Sequence, residues 1–288
     1  MGLRIGVLVV SVVTLWASVA AAQEAPQLVA RWPTPYAPFG IAVAPDYSVY
    51  AVLPDINRVQ HFSPEGTLLG QWGAPRCRGI TVDSGGNVYT TGDGQVFKFT
   101  ETGALLWAAP VADPHGGVLG VTTGLDDTVF VISDYGVVKV TPQGQTVQYW
   151  GTSGSFPGQL LHPWGIAADV EGNLYVADEG NARIAKFSPT GVVLDNWYLS
   201  STRTGIHVSR DGVVYVTGCG DNLIQRFTTS GTPLGQWALD LKCPLDLADD
   251  AGGTLYFADT EHSEIRKFVY LPVPTRRLSW SDLKLRYR

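Results

Sequence analysis

The sequence predicts an all-β protein, a six-bladed β-propeller closed by an N-terminal strand that completes the last blade. Three observations carry this expectation. A short strand beginning Gly-Ile or its equivalent recurs six times: Gly40-Ile41-Ala42-Val43, Gly79-Ile80-Thr81-Val82, Gly120-Val121-Thr122-Thr123, Gly165-Ile166-Ala167-Ala168, Gly205-Ile206-His207-Val208 and Asp246-Leu247-Ala248-Asp249. Their starts are 39, 41, 45, 40 and 41 residues apart, and regular spacing near 40 residues marks a blade repeat. The composition agrees, with 33 glycines and 18 prolines for turns and 9 tryptophans against a single methionine. Finally, the last repeat lacks its fourth strand, and an unclaimed strand of the right pattern lies at the other end of the chain.

Residues 1–22 read as a secretory signal peptide. Arg4 supplies the positive start, Ile5 to Val13 is an almost unbroken apolar run, and Ala20-Ala21-Ala22 offers small residues for cleavage before Gln23. The apolar stretch is short for a bilayer span, no other segment is long and apolar enough for one, and no cysteine follows the cleavage region to take a lipid. The expected product is secreted or periplasmic, with no transmembrane anchor, and monomeric.

The segment Gln27 to Trp32 (Gln-Leu-Val-Ala-Arg-Trp) resembles Thr67 to Trp72 (Thr-Leu-Leu-Gly-Gln-Trp). It is the strand expected to close the ring, so that the terminal blades present no unpaired edge to each other. Within each unit an aromatic follows ten residues after the start, at Tyr50, Tyr89, Phe130, Tyr175, Tyr215 and Tyr256. Turn residues such as Gly86-Asn87 and Gly172-Asn173 lie between, which defines a hairpin. The third strand ends at Phe62, Phe99, Val140, Phe187, Phe227 or Phe268, and in five units a glycine follows four residues later. The fourth strand ends near Trp72, Trp107, Trp150, Trp197 or Trp237, with Trp32 completing the set. Their fixed place in the repeat marks these six tryptophans as packing residues. Aspartates at a second fixed place, Asp83, Asp169 and Asp250, open the hairpin turn, where a carboxylate bonds backbone amides.

Residues 23–270 thus form the propeller and 271–288 leave the pattern. Leu271-Pro272-Val273-Pro274-Thr275 reads as an extended linker. Beyond it Arg276, Arg277, Lys284, Arg286 and Arg288 stand against Asp282, a basic C-terminal tail. The whole chain carries a net charge of −6, which excludes nucleic acid as the expected partner because phosphate binding needs a basic face.

The repeats resemble the NHL-repeat family of six-bladed β-propellers. Blade four carries the resemblance best: Gly165-Ile166-Ala167-Ala168-Asp169, Leu174-Tyr175-Val176-Ala177-Asp178, then Asn181, Arg183-Ile184 and Phe187. Blade one keeps Arg58-Val59 and blade six keeps Asp259 and Ile265, whereas blades two and three are two residues shorter in the second hairpin and lose the motif. The resemblance implies a fold and leaves function open, since such propellers include lyases, sensor domains and binders of RNA or protein.

On this fold the loops entering the inner strands share one face with the loops between strands two and three, around the channel mouth. The residues just before the inner strands are Phe39, Arg78, Leu119, Trp164, Thr204 and Leu245. Peptide-amidating lyases of this fold carry zinc on histidines directly before the inner-strand glycine, and none of the six positions here is histidine. His162 stands three residues before Gly165 on one blade only, and zinc needs three or four convergent ligands. His115 and His262 fall on mouth loops as further ligand candidates. Asp246 replaces the sixth glycine, but no ring of acids accompanies it to make a calcium site of six to eight oxygens. No cofactor is therefore expected, with calcium or zinc lacking support, and no catalytic set emerges.

What remains is a basic and aromatic set at the mouth: Phe39, Arg76, Arg78, His162, Trp164 and Arg203, with Asp246 below. Aromatic faces stack on sugar rings or peptide side chains, and arginine forks grip carboxylates. The expected function is a binding scaffold for a protein, peptide or glycan. A metal-dependent lyase or lactone hydrolase of the same fold is the alternative, disfavoured by the missing histidines. Cys219 and Cys243 lie on mouth-face loops of blade five and of the blade five to six connection, and are expected to form a disulfide, leaving Cys77 unpaired.

Overall fold

The computed structural model describes residues 25–111, 118–199 and 205–270. The signal-peptide reading, the basic tail, His115 and Arg203 lie outside the described residues.

Six four-stranded antiparallel sheets follow one another around a central channel. Blade one is typical: inner strand Ile41–Val43, then Val49–Leu53, Arg58–Phe62 and outer strand Leu68–Gly73. The other inner strands are Ile80–Val82, Val118–Thr123, Pro163–Ala168, Gly205–Val208 and Pro244–Asp249. Each inner strand packs beside those of the preceding and following blades, and the strands of blades six and one also meet. In the sixth sheet Gln27–Pro33 is the outer strand, antiparallel to Glu264–Val269, with Gln27 opposite Val269 and Trp32 opposite Ile265.

The core is divided among the seams between neighbouring blades. One cluster joins Tyr50, Val52 and Val59 of blade one to Ile80, Val88 and Phe97 of blade two. Another joins Trp32, Tyr256 and Ile265 of blade six to Ile41, Val49 and Ala51 of blade one. Second strands are largely apolar and buried on both faces because each face meets a neighbouring blade, whereas outer strands alternate and leave Leu68, Leu69, Leu105 and Leu106 exposed. Each buried aliphatic side chain contributes roughly 1.5–3 kcal/mol, which makes the seams the main source of stability.

The repeated tryptophans do the packing their spacing predicts. Trp72 sits edge-on to Tyr50 of its own blade at 5.9 Å, and Trp197 meets Tyr175 at 6.1 Å in the same way. Each also lies under the glycine of the next blade's outer turn. Gly103 has φ +88° and its Cα faces the Trp72 ring, so it is glycine both for its backbone and for lack of space. Trp237 packs on Tyr270, with ring centres 5.7 Å apart.

The hairpin aspartates also take the expected role. Asp169 Oδ1 accepts the amides of Glu171 and Asn173, and its Oδ2 accepts the Tyr175 hydroxyl at 2.9 Å. Asp83 and Asp250 repeat the arrangement with Tyr89 and Tyr256. Burial alone would raise the Asp83 carboxyl, but hydrogen bonds from Asn87 and Lys98 outweigh it and hold the group below its usual value. The same burial and the facing carboxylates push Tyr89, Tyr175 and Tyr256 above the ordinary phenol range.

Candidate functional site: the central channel and its aromatic mouth

Glycine at the start of five of the six inner units lets neighbouring strands approach closely. A Cβ on Gly40, Gly79 or Gly120 would strike the backbone carbonyl of Arg78, Leu119 or Trp164 on the next blade. This tight ring makes the neck of the channel. Phe39, Arg78, Leu119, Trp164 and Leu245 surround it, with Asp246 in its wall. Five of the six pre-strand positions therefore converge as expected; Thr204 lies outside the described residues.

The Arg78 guanidinium lies over the Trp164 ring, 5.6 Å from its centre, and forms no ion pair among the described residues. Arg76 stands apart on the rim: it faces Asp93 at 3.5 Å, is almost fully exposed, and shares a shallow hollow with Arg78, Asp55 and Asp93. His162 is exposed at the edge of the mouth, with φ +48° and its ring tilted against Tyr135 at 6.1 Å.

His262 is engaged within blade six. Its Nδ1 lies 2.9 Å from Asp259 Oδ2 and 2.9 Å from Arg266 Nη2. Arg266 in turn faces Asp259 at 2.8 Å through Nε. The group is the sixth-blade counterpart of Asp178, Asn181 and Arg183 in blade four, where Arg183 Nε donates to Asp178 at 2.7 Å and Asn181 donates to the same oxygen at 2.8 Å. Sequence reasoning missed Arg266, because the arginine has moved two residues along the strand from the position Glu264 now holds. The strand's period of two keeps it on the same face. Arg183 also donates to the carbonyls of Ser155, Phe156 and Gln159 and so pins the long connection into blade four.

Asp246 reaches across the seam between blades six and one. Its Oδ2 accepts the Ile41 amide at 3.0 Å and its Oδ1 the Leu247 amide at 2.9 Å. Enclosure in the channel wall pushes its carboxyl up to about 7, against the lowering effect of those two amides and of His207. Below the neck the channel widens into a chamber of about 220 Å³. There His207 Nε2 lies 2.8 Å from Asp249 Oδ1. His207 lies on the inner strand of blade five, and the repeat pattern alone does not reveal its partner. Aligning the repeats finds the pair, since the third residue of one inner unit meets the fourth residue of the next.

Cys219 and Cys243 form a disulfide, and Cys77 is a free, fully buried thiol whose burial pushes it up to about 12. Among the described residues no group of three or more His, Cys, Asp or Glu side chains is placed to hold a metal ion. No helix of the described residues is long and apolar enough to cross a membrane.

Residues 160–187 match the NHL repeat. The E3 ubiquitin-protein ligase TRIM71 of Rattus norvegicus is 44% identical over 48 residues, 17% of this chain and 6% of that protein, and TRIM71 of Bos taurus is 45% identical over 42 residues, 15% and 5%. The chain thus spans a small fraction of the length of these relatives. Among solved structures, virginiamycin B lyase from Staphylococcus aureus superposes with a TM-score of 0.66 at 15% identity, over 84% of this chain and 99% of that one. A gluconolactonase from Xanthomonas campestris superposes with a TM-score of 0.70 at 16% identity, over 88% and 93%. At such identities the likeness is one of fold. The chain is a six-bladed β-propeller whose fourth blade carries an NHL repeat.

Proposed function

We propose that the chain is an exported binding protein whose aromatic and basic channel mouth holds a peptide or glycan presented by a partner. The observation that carries this reading is Arg78 on the face of Trp164 at the neck, with no carboxylate of the described chain paired to it. A guanidinium already oriented by an aromatic ring loses little freedom on gripping a carboxylate, and the exposed edges of Trp164 and Phe39 offer stacking surface. The disulfide and the apolar first 22 residues support export. The test is a screen of peptides and glycans with free carboxylates against residues 23–288, repeated with Arg78→Ala and Trp164→Ala. The reading requires both variants to lose at least about tenfold in affinity while melting as the parent does.

A second reading, a lyase or lactone hydrolase, is favoured by one observation: the superposed solved structures include a streptogramin B lyase and a gluconolactonase. It needs an ion or an acid–base pair at the mouth, and His162 and His262 do not meet there. Metal content by mass spectrometry before and after chelation decides between the readings. A tightly held stoichiometric ion that raises the melting temperature would favour the enzyme.

A further inference from the structure

The chamber below the neck has two polar walls. Thr81 Oγ1 lies 3.4 Å from Thr123 Oγ1 across the seam of blades two and three. His207 meets Asp249 across the seam of blades five and six. These are the same two repeat positions, three blades apart in a ring of six, so the pairs face each other across the channel. At the other four seams the corresponding residues are alanine or valine, with Thr122 the one exception. Asp246 looks into the same space from above.

The charge in the chamber is one-sided. Asp249 is the carboxylate open to it, Asp246 being held in the wall by the Ile41 and Leu247 amides, and no lysine or arginine lines it. Asp249 has only an imidazole as partner, and carboxylates withdrawn from bulk water favour a cation nearby. The hydroxyls opposite both donate and accept.

We propose that this chamber is a second binding site, distinct from the aromatic mouth, for a small hydroxylated ammonium compound of amino-sugar size. Its ammonium group lies against Asp249, and its hydroxyls reach Thr81 and Thr123. The small side chains at the remaining seams leave room for the ring.

The experiment is titration of residues 23–288 at pH 7 with glucosamine, glucose and N-acetylglucosamine, followed by calorimetry and by ligand line-broadening. The three share a ring and differ in the ammonium group. Glucosamine is expected to bind at least about tenfold more tightly than the other two. Asp249→Asn is expected to remove most of that difference, and Thr81→Val with Thr123→Val to weaken glucosamine about threefold to tenfold. Arg78→Ala, at the opposite mouth, is expected to leave it unchanged, which separates this site from the one proposed above. Melting curves check that each variant folds. Equal binding of all three sugars, no binding of any, an unaffected Asp249→Asn, or loss of binding in Arg78→Ala overturns the proposal.

Discussion

The Asp246 carboxylate accepts the Ile41 amide at 3.0 Å, a side-chain link from the last inner strand to the first. Elsewhere the same position is glycine, and the neighbouring strand's backbone packs directly against it.

Asp246 should make stability depend on pH. Burial raises its folded value to about 7 from 3.8, so between these limits the folded chain keeps a proton that the unfolded chain has lost. The sign follows: stability falls as pH rises from about 4 through 7. The charged groups around Asp246 are His207 and Asp249 in the chamber and Arg78 at the neck. Melting temperature measured at pH 5 and pH 8 should drop by several degrees more in the parent than in Asp246→Asn. Parallel curves would remove Asp246 as the cause.

Arg183→Met should be among the most damaging single changes. It leaves Asp178 buried without its cation and three carbonyls of the 152–160 connection without a donor. Breaking a buried pair in this way costs about 3–5 kcal/mol. Arg183→Lys should rescue little, because one ammonium cannot replace the fork. Urea unfolding gives the loss, and limited proteolysis should show new cutting near Phe156, which is already exposed.

Tyr175→Phe removes the hydroxyl that caps Asp169 and leaves the ring's packing on Trp197 in place. The expected loss is about 1–2 kcal/mol in denaturant unfolding, the cost of one buried hydrogen bond to a charged acceptor. A neutral result would show that water replaces the phenol at this turn.

Reduction of Cys219–Cys243 should lower the melting temperature, since the bond closes a loop across 24 residues of chain. Loop-closure entropy puts its contribution at about 3 kcal/mol. The double variant to serine should melt with the reduced protein, and the parent under reductant should not lose Cys77 chemistry it never had, because that thiol is fully buried.

The blades were legible because each carries the same local instructions. A turn aspartate, an aromatic ten residues into the unit and a glycine under a neighbour's tryptophan all act over short distances. The mouth was legible in part: Phe39, Arg78, Trp164 and Asp246 converge because ring symmetry brings equivalent positions together. His162 and His262 share that face yet do not meet, since one turns to Tyr135 and the other to Asp259. The His207–Asp249 pair was hidden because it joins two different repeat positions, and within either repeat the residue looks like an ordinary substitution.

The pairing of Gln27 with Val269 also sets the order of assembly. A ribosome must reach Glu264–Val269 before the sixth sheet can exist, while blades one to five have all their strands earlier. Early blades must wait with one flank of the stack uncovered, and ring formation is a single late event. Such a fold resists fraying, because neither terminus can peel away without opening the sheet that the other terminus helps to build.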